Sequence, residues 1–459
     1  MIFRNLSVLI LAITLSCNGE EVPVEPPRMY GVVDGVTVTA SGEQLVMRGI
    51  NLAGIAKSTE DHLFELSDEV ISGLIADGID SVRLLVFWNA VQPDGPDEFD
   101  QAYVSAVAQR VEALSEAGIN VVLDMHQDLW GFPFNGHGAP DWACDDDIKE
   151  GYEPLSNWWL NYGTPQVTGC FDAFWSDLDL QSSYAEAWEA LALASCTSER
   201  LVGFDLMNEP YAGTGTTDRD FDRKVLAPFF MRLMDRVEET CPSRLYFLEH
   251  SSAYLVGIAD PWELDDVYQD RAVYGGHFYP LYIHEGTGSG YGGDIDELEK
   301  DLLLTVAPYQ ERGVPIWVGE YGGLTGHVGF EDYVEDLHSL FLSHGVSSAL
   351  WDYYLNDVGM AFLDAEGERK QVFDSVFSTP AIVLSPSIIL EHSADFAAGS
   401  MQAGFECLTG RELRVMLPAE SCACTASPVG LIDSLVGPGI AEGSCIDNGR
   451  VSLECTCGP

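Results

Sequence analysis

The chain has 459 residues, 46% of them hydrophobic, with 73 Asp and Glu against 22 Lys and Arg, for a formal charge of −51. That balance excludes nucleic acid as a partner, because phosphate binding needs clustered Lys and Arg, and it disfavours adsorption to an anionic membrane. It fits a highly soluble protein whose self-repulsion salt would screen, as in a saline habitat, and the length suffices for one large domain and one small one.

The N-terminus reads Met1-Ile2-Phe3-Arg4, then an apolar run over 6–15, then Ser16-Cys17. One positive charge, a short apolar core and small residues predict an export signal over 1–17, and the run is too short to span a membrane. Leu15-Ser16-Cys17 is similar to a bacterial lipoprotein cleavage site, although Thr14 departs from the usual aliphatic residue. The expected address is therefore outside the cytoplasm, either freely secreted or held in the bacterial cell envelope through Cys17. Residues 18–28 are acidic and proline-rich and read as a linker.

Strand-like runs follow over 29–40 and 43–52, separated by Ser41-Gly42. A unit then repeats. Helix-like 68–77 precedes strand-like 81–88, 100–117 precedes 120–125, 183–194 precedes 201–207, and 222–239 precedes 244–249. Further strands are predicted over 271–278, 315–319 and 347–353, with helices over 294–306 and 333–343 between them. Short, continuous apolar strands are expected of parallel strands covered by helices. About eight strand–helix units predict an α/β fold, a (β/α)8 TIM barrel over 29–379. A doubly wound sheet is the runner-up, but Asn51-Leu52-Ala53-Gly54-Ile55 after the first strand does not supply the glycine-rich phosphate turn it would need.

The pattern changes after Ser378-Thr379-Pro380. Residues 380–459 are rich in Gly and Cys with short strand-like runs and read as a small all-β domain that braces the barrel or binds a surface. With Cys17 set aside, ten of the 11 cysteines remain, an even number in an exported chain, so disulfides are expected. In the barrel Cys144 is expected to pair with Cys170 and Cys196 with Cys241, one of three arrangements open to four cysteines. In the tail, Cys407, Cys422, Cys424, Cys445, Cys455 and Cys457 read as disulfides rather than a zinc site, since one His, His392, lies nearby.

Chemistry in a barrel sits at the C-terminal ends of the strands. Those ends carry Arg83, His126 and Asp128, Asn208 and Glu209, His277 and Tyr279, Glu320, and Trp351. Two acids delivered to one cleft, Glu209 in Phe-Asp-Leu-Met-Asn-Glu-Pro over 204–210 and Glu320 in Ile-Trp-Val-Gly-Glu-Tyr-Gly over 316–322, are the minimum apparatus for cleaving a glycosidic bond. One must hold a proton near neutral pH while the other stays ionised. The bland alternatives are bracing of the barrel mouth for His126 and His277 and plain core for Trp351; Gln127 is expected to face away from the site.

Taken in this order, Arg83, His126, Asn208-Glu209-Pro210, His277-Phe278-Tyr279, Gly319-Glu320-Tyr321-Gly322 and Trp351 resemble glycoside hydrolase family 5. Asp124-Met125-His126-Gln127-Asp128 is similar to the third-strand motif of the endoglycoceramidase branch, and Lys57 falls where those enzymes place a sugar-contacting lysine. The added β domain also fits that branch, though it is short and cysteine-rich here. The resemblance implies retaining hydrolysis, with Glu320 as nucleophile and Glu209 as acid/base. It implies Arg83 and Tyr279 on Glu320, Asn208 on the sugar 2-hydroxyl, Trp351 under the sugar ring, and Lys57, His126 and Asp128 on hydroxyls further out. It implies no cofactor and no metal, and no ligand cluster with metal spacing is visible along the chain.

The implied substrate is a glycosphingolipid, cut between oligosaccharide and ceramide by a monomer in transient contact with lipid or micelles. Rival readings are a β-glycosidase for steryl glucoside or glucosylceramide, a family 5 endoglucanase, a non-catalytic sugar-binding barrel, and a secreted structural protein. A lipid-linked substrate needs an apolar trough. Candidates are Leu129, Trp130, Phe132, Pro133 and Phe134, with Trp158-Trp159-Leu160, in the long connection over 129–182. The same aromatics could instead form a mini-core stapled by Cys144 and Cys170.

Overall fold

The computed structural model describes residues 14–15, 21–22, 29–59, 61–255, 257–284, 290–356, 359–419, 421–430, 432, 435 and 439–458. The expected export signal and linker, Cys17 included, lie outside them except for a two-residue strand pair, Thr14–Leu15 with Glu21–Val22.

Eight parallel strands form the barrel: β1 (Arg48–Leu52), β2 (Ser81–Val86), β3 (Asn120–Met125), β4 (Leu201–Asp205), β5 (Leu245–Leu248), β6 (Ala272–Tyr274), β7 (Trp317–Tyr321) and β8 (Ser347–Leu350). Their order is β6-β5-β4-β3-β2-β1-β8-β7. Parallel bridges Tyr274 to Ile316 and Phe278 to Tyr321 close β6 onto β7. Helices Asp68–Ala76, Gln101–Glu116, Leu178–Ser195, Ala227–Thr240, Ile295–Gln310 and Phe330–His344 cover the outside. Ser67, Asp100, Asp177 and Asp294 start four of them by accepting first-turn backbone N–H groups that no helical carbonyl can reach. The regular alternation fails between β5 and β6, where among the described residues the chain makes only the short turns Ser252–Leu255 and Asp266–Tyr268.

The expected single strand over 29–40 is a hairpin, Tyr30–Val33 with Val36–Thr39. Asp34 and Gly35 both take positive φ, +49° and +77°. An Asp-Gly pair in that conformation makes the two-residue turn whose twist matches its flanking strands. The run over 43–52 also divides, with Gln44–Leu45 leaving the barrel to pair with Ala381–Ser385.

The C-terminal residues form two antiparallel sheets. One runs Gly439–Ser444, Glu412–Leu417, Ala381–Ser385 and on into the N-terminal hairpin; the other holds Ile389–Asp395, Ser400–Cys407, Gly449–Cys457 and Cys422–Ser427. Tyr30, Leu45, Met47 and Leu384 pack against the inward-facing Val122, Val202, Phe247 and Trp317 in one apolar cluster. The shared sheet thus plugs the lower end of the barrel and leaves the polar chemistry to the upper one.

The ten described cysteines form five disulfides: Cys144–Cys170, Cys196–Cys241, Cys407–Cys445, Cys422–Cys457 and Cys424–Cys455. The two Cys-x-Cys pairs lie opposite each other in the ladder of neighbouring strands. Alternation in a strand puts both cysteines of each pair on one face, so both bridges form side by side. Five disulfides mark an oxidising, extracellular compartment. Among the described residues no helix is long and apolar enough to cross a membrane.

Cys196–Cys241 joins the ends of two helices across 45 residues at the end of the barrel away from the site. Replacing both with Ser should lower unfolding free energy by about 2–4 kcal/mol, read from the urea midpoint, with activity of the folded protein retained at 25 °C.

Candidate active site

Arg83 is the third residue of β2 rather than its last, and its side chain is fully buried. It reaches up the barrel axis. Nη1 donates to Glu320 Oε1 at 2.7 Å and to Asn51 Oδ1 at 3.1 Å; Nη2 donates to Asn208 Oδ1 at 2.8 Å and to Glu249 Oε1 at 3.2 Å; Nε donates to Asp205 Oδ2 at 2.9 Å. Asp124 Oδ1 is an ion-pair partner at 3.0 Å. One guanidinium therefore serves four carboxylates. Burial alone would lower its pKa, but Asp124, Asp205, Glu320 and Glu249 raise it well above the usual value.

Glu320 projects from β7 and is almost enclosed, with its second oxygen accepting from the Tyr279 hydroxyl at 2.9 Å. Glu209 follows β4, and its side chain is 43% exposed. His277 lies between them, with Nδ1 at 2.9 Å from Glu209 Oε1 and 3.5 Å from Glu320 Oε2. Burial works to lower the His277 pKa, yet the facing Glu249, Glu320 and Glu209 raise it well above that of an ordinary imidazole. Burial works to raise Glu209, yet the His277 hydrogen bond and charge hold it below the usual value. The sequence reading puts the neutral-pH proton on Glu209; in the free protein the geometry puts it on His277, because three carboxylates surround the imidazole.

Further out, Lys57 pairs with Asp128 and its ammonium lies 4.9 Å from the centre of the Trp351 ring. Burial opposes ionisation of Asp128, but Lys57 and His126 prevail and hold its carboxyl well below the usual range. His126 is fixed by Asp124 at 2.8 Å and stacks on Trp351 at 5.7 Å between ring centres. Trp351 is partly exposed, so it is not plain core. All ten residues expected at the site thus converge on one end of the barrel.

Five participants had no expected role: Asn51, Asp124, Asp205, Glu249 and Gln127. Asp124, Asp205 and Glu249 share a signal, an acid closing a run of apolar strand residues, and such an acid needs a buried cation. Gln127 is buried and donates to the backbone carbonyls of Asn208 at 3.0 Å and Glu209 at 2.9 Å. Glu209 has φ +41°, a left-handed conformation uncommon outside glycine. Gln127 on one side, and Glu249 Oε2 accepting its N–H at 3.0 Å on the other, hold it there. Gly138 makes room for Gln127, since a Cβ would come 2.5 Å from the Gln127 Cβ.

The trough candidates divide. Leu129, Trp130 and Phe134 are buried, with Cys144 and Cys170, in the same large apolar cluster as the barrel strands and helices rather than in a separate mini-core, whereas Phe132 is 83% and Trp159 54% exposed, with Trp158 and Leu160 also open. Trp158 contacts Tyr162 and Tyr162 contacts Tyr211, two residues beyond Glu209, so the exposed aromatics continue from the cleft.

Chain spacing concealed one cluster: a ligand atom from each of Glu209, His277 and Glu320 lies within 4.8 Å of the others, close enough to hold a cation. Each donor is already engaged, Glu209 and His277 with each other and Glu320 with Arg83 and Tyr279. The cationic Arg83 touching Glu320 further disfavours a metal ion there.

A closed barrel whose strand tips bring two carboxylates together defines the class of barrel glycosidases. The family model "Cellulase (glycosyl hydrolase family 5)" matches residues 38–357, and the chain belongs to that family. Endo-glycoceramidase II from Rhodococcus sp. superposes with a TM-score of 0.77 and 26% identity over 91% of this chain and 98% of that one; its structures include a ganglioside GM3 complex. Endoglycoceramidase I of Rhodococcus hoagii is 28% identical over 222 residues, 45% of this chain and 44% of that protein. Glucosylceramidase of Rhizopus delemar is 28% identical over 232 residues, 38% of this chain and 34% of that protein. The chain thus spans less than half the length of these two curated relatives.

Arg83→Met leaves Asp124, Asp205, Glu249 and Glu320 buried without their cation. Urea unfolding should show a loss of about 3–5 kcal/mol; a loss below about 1 kcal/mol would contradict the central role of this contact.

Proposed function

We propose that the protein is a retaining endo-β-glycosidase that cleaves glycosphingolipids between oligosaccharide and ceramide. The carrying observation is the approach of Glu209 and Glu320, with carboxylate oxygens within 4.8 Å. A retaining pair needs about 5–5.5 Å between carboxyl groups, whereas an inverting pair needs about 6.5–9.5 Å to admit water. Glu320 attacks the anomeric carbon and forms a glycosyl-enzyme; Glu209 protonates the leaving oxygen, then takes a proton from the incoming water. Arg83 and Tyr279 orient Glu320. Asn208, held by Arg83, contacts the sugar 2-hydroxyl, Trp351 underlies the ring, and Lys57, His126 and Asp128 bind the next sugar.

The lipid-linked substrate is supported by the exposed Trp158-Trp159-Leu160, joined through Tyr162 and Tyr211 to the loop after Glu209, with Phe132 exposed in the same long connection, and by the likeness to enzymes named for ceramide glycosides. The protein acts as a monomer in transient contact with lipid, exported by the signal over 1–17 and either free or anchored at Cys17. A non-catalytic sugar-binding barrel is disfavoured, because both acids, Arg83 and Tyr279 retain reactive geometry.

The deciding assay incubates the protein with gangliosides, globosides, glucosylceramide and cellulose and identifies the released sugar. Intact oligosaccharide from ganglioside, with no monosaccharide, is expected; glucose from glucosylceramide alone would favour the glucosidase reading. In the same assay Glu320→Gln should abolish release while keeping binding, and EDTA should leave the wild-type rate unchanged.

Phe132→Ala with Trp159→Ala tests the trough. The double variant should raise KM for ganglioside about tenfold, the loss expected from about 1.4 kcal/mol of apolar contact, with little change for a soluble aryl lactoside. An equal loss on both substrates would assign these aromatics to loop packing.

A further inference from the structure

Glu249 has no place in the two-carboxylate reaction, yet it is almost fully buried and touches three of its parts. Its Oε1 lies 3.1 Å from His277 Nε2 and accepts from Arg83 Nη2 at 3.2 Å, while its Oε2 accepts the Glu209 backbone N–H at 3.0 Å. On the far side of the imidazole, Nδ1 faces Glu209 Oε1 at 2.9 Å. The ring lies between two carboxylates, an ion-pair contact with Glu249 sealed inside the barrel and a hydrogen bond with Glu209 opening on the cleft.

The partner of one imidazole nitrogen decides what the other can do. A buried carboxylate against Nε2 keeps a proton there and leaves Nδ1 as the exchanging atom, the logic by which an aspartate sets the histidine tautomer in hydrolytic triads. We propose that Glu249 is a positioning residue of the acid/base step: it anchors the Nε2 proton of His277, so that the working proton passes only between Nδ1 and Glu209. This rests on the glycosidase reading given above.

The proton count closes over both steps. First, the Nδ1 proton moves to Glu209, and Glu209 donates it to the leaving oxygen. The C1–O bond breaks with its electron pair kept by that oxygen as the bond from Glu320 to C1 forms. Then water attacks C1 and its proton goes to Glu209 and back to Nδ1, while Glu320 leaves with the bonding pair.

The surroundings fix the sign of the pH effect. Around His277, burial opposes the charged ring, while Glu249 from β5, Glu320 from β7 and Glu209 from β4 favour it. Burial pushes the Asp205 carboxyl on β4 well above the usual carboxylate range, and Arg83 from β2 opposes that rise. His250, next to Glu249, is pushed down to about 4 by burial and stays uncharged at neutral pH. Tyr279 is raised by burial and by Glu320 and remains neutral. From β3, Asp128 and His126 act on Glu209 with opposite signs. Removing the Glu249 charge therefore lowers the pKa of the proton shared by His277 and Glu209, so the alkaline limb of the kcat/KM profile moves toward acid.

The test is Glu249→Gln assayed with two aryl β-lactosides. At pH 7, kcat/KM for phenyl β-lactoside, whose leaving group needs a proton, should fall about 100-fold or more, and that for 2,4-dinitrophenyl β-lactoside, whose leaving group does not, by less than about fivefold. Glu249→Asp, which keeps the charge, should retain the wild-type alkaline limb. Equal losses on both glycosides, or an unmoved limb in Glu249→Gln, would overturn the assignment. Imidazole nitrogen NMR on the wild type needs no variant to fold: Nε2 should stay protonated as Nδ1 titrates, and a proton confined to Nδ1 would equally sink it. Wild-type protein that cleaves neither glycoside refutes the glycosidase reading instead.

Discussion

The Arg83 guanidinium is the contact on which the upper half of the barrel depends. Its five N–H donors lie in a fixed plane, and they meet groups from β1, β3, β4, β5 and β7. Four acids inside one barrel would repel each other and drive up each other's pKa. With a permanent cation among them they become rigid hydrogen-bond acceptors at fixed separation. A lysine could neutralise one or two of them but could not span five strands with fixed geometry.

From that centre, polarity is graded outward. The enclosed Glu320 faces the half-open Glu209 across His277, so the two carboxylates sit in different environments a few ångströms apart. Beyond them the Lys57–Asp128 pair and the Trp351 face offer hydrogen bonds and an apolar surface together, which is what a sugar ring with polar edges and apolar faces requires. Past Tyr211 and Tyr162 the surface turns apolar at Trp158. In a chain of net charge −51, the few cations near the cleft stand where carboxylates must be held apart.

The lower end is built on the opposite rule. Its centre is an apolar cluster, with Trp317, Phe247 and Val122 meeting the hairpin and the C-terminal sheet. Disulfides secure the periphery, where loops are long or the β domain is too small for a sizeable core of its own. Rigid support below and a disulfide-backed loop above leave the strand tips little freedom, which suits chemistry that tolerates small errors in carboxylate spacing poorly.

The barrel and both acids were legible in the chain because apolar periodicity and motif spacing are local properties, whereas the pairing of the four large-domain cysteines was one of three the chain left open and was decided by folding. The Asp34-Gly35 hairpin was equally local and was passed over, since an apolar run hid a turn whose signal is two residues long. Roles for Asn51, Asp124, Asp205, Glu249 and Gln127 were not legible. Each depends on which strand neighbours it across the barrel, and partners up to 299 residues apart in the chain become hydrogen-bonded only on closure. The sequence by itself determined which residues could react. Tertiary structure alone decided where the proton rests, because a pKa answers to the charges within a few ångströms, and those are set by folding.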